Sequence, residues 1–417
     1  MNDQIRITGG RPLEGEISIQ GSKNAALPMM AAALLHKGVS VLKGCPRIAD
    51  VFCMEEILKE LGAVTWWEDH DLYMDCTNAD GTRIPGEYTG RMRSSVILLG
   101  AMLARSGRGC LGYPGGCVIG KRPVDLHVFV LRSLGAKIRE ETGMLDASCE
   151  RLRGTVVSFE KRSVGATEQG ILAAVTASGE TVLDNCASEP EIQWLCKYLR
   201  TMGAAIRGEG SSQIRIIGVK SLGPGSMRVP PDRIVAGTYL CAAAITRSSI
   251  TIRNPPLGEL DAFLEVYRKM GGQYEGKSGK LVVSGKEIRS PVSFLETKVY
   301  PGFPTDLQSP LMAVLATVPG RSRIREQIFE DRYKAAGELV RMGAHICIEG
   351  RDALIDGGHS LKGCKVKAQE LRGGAALILA ALAAEGTTVV EGYSFIRRGY
   401  EHIGRDLGAV GADICLE

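Results

Sequence analysis

The sequence predicts an α/β fold built from six copies of one helix-and-strand unit, three copies in each of two domains. Three observations carry this. A tripeptide of an apolar residue, Gly and a small residue recurs at Leu61-Gly62-Ala63, Leu134-Gly135-Ala136, Met202-Gly203-Ala204, Met270-Gly271-Gly272, Met342-Gly343-Ala344 and Val410-Gly411-Ala412. Its glycines stand 73, 68, 68, 72 and 68 residues apart, so six units of roughly seventy residues account for nearly all 417 positions. Each unit also holds one helix-like stretch that is apolar on nearly every face, with strand-like stretches between it and the glycine.

The all-apolar helices are expected over 24–35, 94–104, 167–177, 232–244, 306–316 and 374–384. Ala375-Ala376-Leu377-Ile378-Leu379-Ala380-Ala381-Leu382 has no polar face, and such a helix belongs in a core. The helices that end at the repeated glycines are amphipathic, as in Glu191-Ile192-Gln193-Trp194-Leu195-Cys196-Lys197-Tyr198-Leu199, and belong on a surface. Gly at each end suits a left-handed cap that releases the chain into the next strand. Strands are expected at Val39-Ser40-Val41-Leu42, Glu180-Thr181-Val182-Leu183, Ser249-Ile250-Thr251-Ile252, His345-Ile346-Cys347-Ile348 and Thr387-Thr388-Val389-Val390. Three buried helices per domain with sheets outside satisfy all of these patterns.

Composition narrows the class. The chain is 44% hydrophobic and 24% charged, with 52 glycines, as in a globular protein with many tight turns. A net charge of +4 requires neither nucleic acid nor an acidic membrane as partner. No apolar run has the length of a membrane span, and the polar start Met1-Asn2-Asp3-Gln4 has no signal-peptide core, so a cytoplasmic location is expected. Twelve cysteines and six histidines show neither paired spacing nor a zinc pattern; reduced thiols and no bound metal are expected.

The apolar helices begin with polar residues: Ser22-Lys23-Asn24, Arg93-Ser94, Ser163-Val164-Gly165, Pro231-Asp232-Arg233, Thr305-Asp306 and Arg372-Gly373. Three parallel helices would gather their N-termini, with free N–H groups and positive dipole ends, on one face that attracts anions. Two such faces opposed across a cleft would take an anionic ligand. Ser94 and Ser163 serve equally well as plain caps, whereas Lys23, Arg93 and Arg372 cannot cap.

A second segment stands out, Tyr113-Pro114-Gly115-Gly116-Cys117-Val118-Ile119-Gly120-Lys121-Arg122-Pro123-Val124-Asp125-Leu126-His127. Three glycines and two prolines within residues 113–123 describe a loop that can move, and Lys121 and Arg122 put positive charge near the thiol. A reactive cysteine and an ordinary loop cysteine both fit this setting.

Gly21-Ser22-Lys23-Asn24-Ala25-Ala26-Leu27-Pro28 and the Gly-Gly-Cys loop leading into Arg122-Pro123-Val124-Asp125-Leu126-His127 resemble the UDP-N-acetylglucosamine 1-carboxyvinyltransferases, a branch of the enolpyruvyl transferase family. The resemblance continues at Ser163-Val164-Gly165-Ala166-Thr167, Glu189-Pro190-Glu191-Ile192, Pro231-Asp232-Arg233-Ile234, Phe303-Pro304-Thr305-Asp306, Leu371-Arg372 and Arg398-Gly399-Tyr400-Glu401. It implies two inside-out α/β domains of three repeats, one over 21–229 and the other over 1–20 with 230–417, with a cleft between them that closes by a hinge.

The resemblance also implies an activity, transfer of the enolpyruvyl group of phosphoenolpyruvate to the 3-hydroxyl of UDP-N-acetylglucosamine with release of phosphate, the first committed step of peptidoglycan synthesis. Cys117 is then the proton donor to the methylene carbon, with a covalent bond to substrate as a second role. An unperturbed thiol pKa of about 8.5 leaves much of it protonated at neutral pH, while Lys121 and Arg122 favour thiolate. Asp306 is implied as general base, though it serves equally as a helix cap. Lys23, Arg122 and Arg398 match positions that hold the phosphate and carboxylate, with Asn24 in support. Arg332 and Arg372 match cleft positions and fit structural ion pairs equally. For the nucleotide sugar the implied residues are Arg93, Arg122, Pro123, Val124, Asp125, Leu126, Lys161, Arg162, Ser163, Val164 and Ile328. No cofactor, metal or obligatory protein partner is implied.

Three positions depart from the family pattern: Arg47 for Lys, Glu370 for Asp, and Arg397 for Asp, the last reversing charge beside Arg398. The rival readings are 5-enolpyruvylshikimate-3-phosphate synthase, which shares the fold and chemistry, and a non-catalytic binder of UDP-sugars. The Gly115-Gly116-Cys117 loop and Asp125-Leu126-His127 favour the sugar enzyme.

Overall fold

The repeated tripeptide closes all six of its helices in one way. The structure, a computed structural model, describes residues 3–115, 119–120, 123–141 and 143–416. After Leu61, Gly62 takes a φ of +96° and donates to the Lys59 carbonyl at 2.9 Å, while the Ala63 N–H reaches back to Leu58 at 3.0 Å. These two crossed bonds form a Schellman cap, in which the left-handed residue is usually Gly. The same pair recurs at Gly135, Gly203, Gly271, Gly343 and Gly411 with their following residues, at φ between +96° and +103°. The expected left-handed glycine is present at every hinge.

Numbered in chain order, the core helices are α1 (Lys23–Ala33), α3 (Leu98–Ser106), α5 (Val164–Ala174), α7 (Arg233–Ile245), α9 (Gln308–Ala316) and α11 (Leu371–Ala383). The hinge helices are α2 (Ala49–Glu60), α4 (Asp125–Ser133), α6 (Pro190–Thr201), α8 (Asp261–Lys269), α10 (Lys334–Arg341) and α12 (Ile403–Ala409). Every residue of α7 is buried, and α11 is buried from Leu371 to Leu382, as a helix without a polar face must be. The described residues divide into two compact units, 21–115 with 123–230, and 3–20 with 119–120 and 231–416. Helices α1, α3 and α5 pack on one another in the first unit, and α7, α9 and α11 do so in the second.

Two core helices start differently from expectation. Residues Arg93–Ile97 form a 3₁₀ turn before α3, and Thr305–Leu307 form another before α9. Tight turns of this kind satisfy terminal backbone groups that an α-helix leaves open. Helix α1 also runs through Pro28, which has no N–H to give to the Asn24 carbonyl four residues earlier.

Half-buried arginines hold the far ends. Arg105 donates to the carbonyls of Leu34 at 2.6 Å and Cys76 at 2.7 Å, and Arg247 to Ala244 and, at 3.0 Å, to Thr317. A cation at the negative end of a helix is favourable on both counts, as charge and as donor.

Six four-stranded sheets complete the units, three in each, all with one plan: a parallel outer pair followed by two antiparallel pairings. In the first repeat the order is Ser226–Arg228, Val39–Lys43, Asp71–Asp75, Val64–Glu68. Leu72 and Met74 of Asp71–Asp75 are buried while alternate positions are part-exposed, so one face of the sheet meets the helices. The short outer strands are exchanged in chain order: Glu16–Ser18 precedes α1 yet pairs with Ser249–Arg253 in the fourth repeat, whereas Ser226–Arg228 pairs back to the first. Gln4–Thr8 lies between Thr387–Glu391 and Asp413–Leu416 in the sixth. Among the described residues no helix is long and apolar enough to cross a membrane.

Candidate active site

In the unit containing 231–416, the helix starts carry a buried charge network. Asp306 lies on the 3₁₀ turn before α9; its Oδ1 accepts from Arg332 Nη2 at 2.6 Å and its Oδ2 from Arg372 Nη2 at 3.2 Å. Both arginine side chains are 3% exposed and that of Asp306 is 27% exposed. Two burial-trapped guanidiniums thus grip a carboxylate on a side chain that is only partly buried. Burial alone would lower the arginine pKa values, but Glu370 and Asp306 outweigh it at Arg332, and Asp306 leads the same reversal at Arg372, so both are raised and stay charged.

Glu370 has two tasks. It caps α11, accepting from the N–H groups of Arg372, at 2.8 Å, and Gly373, and it stands 3.8 Å from Arg332 Nη1. Tyr400 lies under Arg372, with the guanidinium carbon 5.5 Å from the ring centre, and its hydroxyl is 2.7 Å from Thr238 Oγ1. Glu326 accepts from Ile328 N at 2.8 Å, Phe329 N at 3.1 Å and Thr305 Oγ1 at 2.9 Å, tying half-buried Ile328 to the turn that bears Asp306. Arg398 is half-buried, two residues before Tyr400.

In the other unit Ser22 caps α1, and Lys23, the first helical residue, pairs with Asp50 of α2 at 2.6 Å, with their side chains 12% and 5% exposed. Arg93 donates to the Pro123 carbonyl at 2.8 Å. Val124 and Leu126 are buried, while Pro123 and Asp125 are exposed at the start of α4. Ser163 does cap, accepting from Ala166 N at 3.4 Å. Lys161, Arg162 and Val164 are exposed beside it, and Arg162 Nε is 3.4 Å from Asn185 Oδ1. His127 of α4 bonds through Nδ1 to Gln169 of α5, and a Cβ at Gly165 would stand 2.9 Å from its ring. Glycine therefore lets the 123–127 and 161–165 stretches close on each other.

Cys117 and Arg122 lie outside the described residues. Elsewhere burial pushes the Cys76 thiol up to about 11 and the Cys186 thiol up to about 12, so these buried cysteines are inert at neutral pH.

Several residues escaped the sequence reading. Asp50 resembles any acidic residue in a first helical turn, and nothing local marks it as the partner of Lys23. Glu168 of α5 is buried with its pKa raised well above the ordinary carboxylate range, first by burial and then by Glu191 and Glu189. The Glu189-Pro190-Glu191 motif is legible in sequence, but its proximity to Glu168 is not.

The profile of the family described as EPSP synthase (3-phosphoshikimate 1-carboxyvinyltransferase) matches residues 7–407. The chain belongs to this enolpyruvyl transferase family. Within it, a "UDP-N-acetylglucosamine 1-carboxyvinyltransferase 2" of Caldanaerobacter subterraneus subsp. tengcongensis is 44% identical over 99% of each chain. A "UDP-N-acetylglucosamine 1-carboxyvinyltransferase 1" of Symbiobacterium thermophilum is 45% identical over 99% of this chain and 95% of its own. The crystal structure of the enolpyruvyl transferase NikO from Streptomyces tendae superposes with a TM-score of 0.90 at 24% identity, covering 100% of this chain and 99% of that one, and shows the fold. The enolpyruvyl transferase resemblance read from the motifs is borne out, as is the inside-out α/β fold class.

The three departures from the family pattern have distinct settings. Arg47 lies over the Trp67 ring at 4.9 Å and donates to the Asp69 carbonyl at 2.8 Å. Glu370 is the cap and ion-pair partner described above. Arg397 is exposed at the end of the single helical turn Tyr393–Ile396.

Proposed function

We propose that the protein transfers the enolpyruvyl group of phosphoenolpyruvate to the 3-hydroxyl of UDP-N-acetylglucosamine and releases phosphate. The observation that carries this reading is Asp306, an acceptor oriented by two buried arginines on a side chain that is itself only partly buried. The names of its relatives support the sugar as acceptor over shikimate 3-phosphate. The two compact units are the two domains of this reading, each with three repeats.

The chemistry is addition followed by elimination. The sugar oxygen bonds to C2 of phosphoenolpyruvate as its proton passes to Asp306, and C3 gains a proton from Cys117. C3 then loses a proton and the C2–O bond to phosphate breaks, which restores the double bond. Lys23, Arg122 and Arg398 hold the phosphate and carboxylate through charge-assisted bonds, with Asn24 in support, while Arg332 and Arg372 hold Asp306. Arg93, the stretch from Arg122 to Leu126, Lys161 to Val164, and Ile328 hold the nucleotide sugar, with the start of α5 offering N–H groups to the diphosphate. This is the first committed step of peptidoglycan synthesis and takes place in the cytoplasm, on small-molecule substrates and without a protein partner.

Phosphate release from phosphoenolpyruvate by purified protein tests this, with UDP-N-acetylglucosamine or shikimate 3-phosphate as acceptor and Cys117→Ala alongside. Release that requires the UDP-sugar and collapses in the variant is the expected result. Binding of the UDP-sugar without release from either acceptor would make the protein a binder only.

A further inference from the structure

The fifth repeat brings together three side chains from one strand pair and the turn that follows it, and they belong to no part of the site above. Strand His345–Glu349 pairs antiparallel with Asp352–Gly357, and the register sets His345 directly opposite Asp356. The chain then turns through Gly358, at a φ of +95°, where a Cβ would come within 2.9 Å of Pro319. This constrained turn brings His359 back onto the pair. Its ring stacks on that of His345 with centres 3.7 Å apart and planes 23° from parallel, and its Nε2 is 3.9 Å from Asp356 Oδ2. One potential ligand atom from each residue lies within 4.8 Å of the other two.

We propose that His345, Asp356 and His359 form a binding site for a divalent transition metal of the zinc class. Two imidazoles and one carboxylate suit Zn²⁺ or Co²⁺, and three protein ligands leave one tetrahedral position open to water. Bonds of about 2.0–2.2 Å put tetrahedral ligands roughly 3.4 Å apart, and because an imidazole lone pair lies in the ring plane the two histidine rings must rotate out of their stack to aim at one ion. His359 and Asp356 are 41% and 54% exposed and have room for it. The site was invisible to spacing rules because the strand register, not a short motif, joins His345 to residues 11 and 14 positions later. Two neighbours act against it: Arg321 stands opposite Asp356 on the adjoining strand and competes for the carboxylate, and exposed Cys347 offers a thiol nearby in sequence. A bound ion would clamp the hairpin to the turn that follows it.

The test is titration of the full-length protein with Co²⁺, read by visible absorption, and with Zn²⁺ by competition against a chromophoric chelator. One Co²⁺ per chain is expected, with a spectrum of nitrogen and oxygen ligation and no thiolate charge-transfer band. Zn²⁺ affinity should fall at least about tenfold in each of His345→Ala, His359→Ala and Asp356→Asn. All three positions lie on or beside an exposed strand pair, so unchanged metal-free melting temperatures should accompany the loss. Absence of saturable binding, a thiolate spectrum, or affinity unchanged in both histidine variants would overturn the proposal.

Discussion

The two units hold the starts of their core helices in different ways. In the one containing Asp306, four charged groups share one network, and the guanidiniums of Arg332 and Arg372 are sealed from water. In the other, Lys23 pairs with Asp50, Arg93 donates to a carbonyl, and Ser163 caps its own helix. Lys161 and Arg162 remain exposed. The first arrangement fixes an acceptor in advance, which is what proton transfer requires. The second presents cations and N–H donors, which is what an anionic ligand requires. Damage to the first should therefore cost rate and stability, and damage to the second should cost affinity, with a stability cost added at the buried Lys23–Asp50 pair.

Asp306→Asn is the strongest attempt to break this contrast, because it keeps the size of the side chain and removes the charge that both arginines share. Phosphate release at saturating substrate should fall by about 10²–10⁴-fold, the usual worth of a general base, while UDP-sugar binding persists. A loss below about tenfold would take Asp306 out of proton transfer. Arg332→Ala should unfold at lower urea, since removing one member of a buried pair costs about 3–5 kcal/mol. The lower end applies here because Asp306 keeps some access to water. Unfolding at the parent urea concentration would mean that the network orients without stabilising.

Lys23→Ala probes the other side of the comparison. The KM for phosphoenolpyruvate should rise roughly 10- to 100-fold, the worth of a charge-assisted bond, with the KM for the UDP-sugar little changed. Equal increases in both would contradict the division of labour between anion and sugar. The smallest effects belong to the hinges, where both units use the same cap. Gly135→Ala and Gly271→Ala each place a Cβ at positive φ, at a cost of about 1 kcal/mol. At Gly271 the new atom would also stand 2.2 Å from the Glu287 carbonyl, whereas nothing lies within 4 Å at Gly135. Thermal unfolding should rank Gly271→Ala below Gly135→Ala, and equal melting temperatures would show that the turn carrying Glu287 gives way.

The repeat was legible because its signals are local. A Schellman cap needs only Gly62 and Ala63 beside their own helix, and Ala375 to Leu382 declares a buried helix without reference to anything else. The exchanged strands Glu16–Ser18 and Ser226–Arg228 were not legible, since three residues carry no usable periodicity. In the candidate site, charge at a helix start marked Lys23, Arg93 and Arg372. Their partners stayed hidden because pairing is decided in space: Asp306 and Arg372 are 66 positions apart, and nothing in the local sequence joins them. Arg332 was singled out among 51 lysines and arginines by family resemblance alone. His127 shows the same limit, since its motif was readable while its bond to Gln169, which draws α4 and α5 together, was not.

The strand Gln4–Thr8 sets a schedule for the growing chain. Thr8 meets Thr387 across 379 positions, so at about 5–20 residues synthesised per second roughly 20–80 s pass before its partners exist. Through that time Ile5 and Ile7, fully buried in the finished sheet, have nowhere to go. The unit made of residues 21–115 and 123–230 meanwhile has all its strands and core helices in hand. On the ribosome one half can mature while the other waits, and a strand made before either core is among the last to find its place.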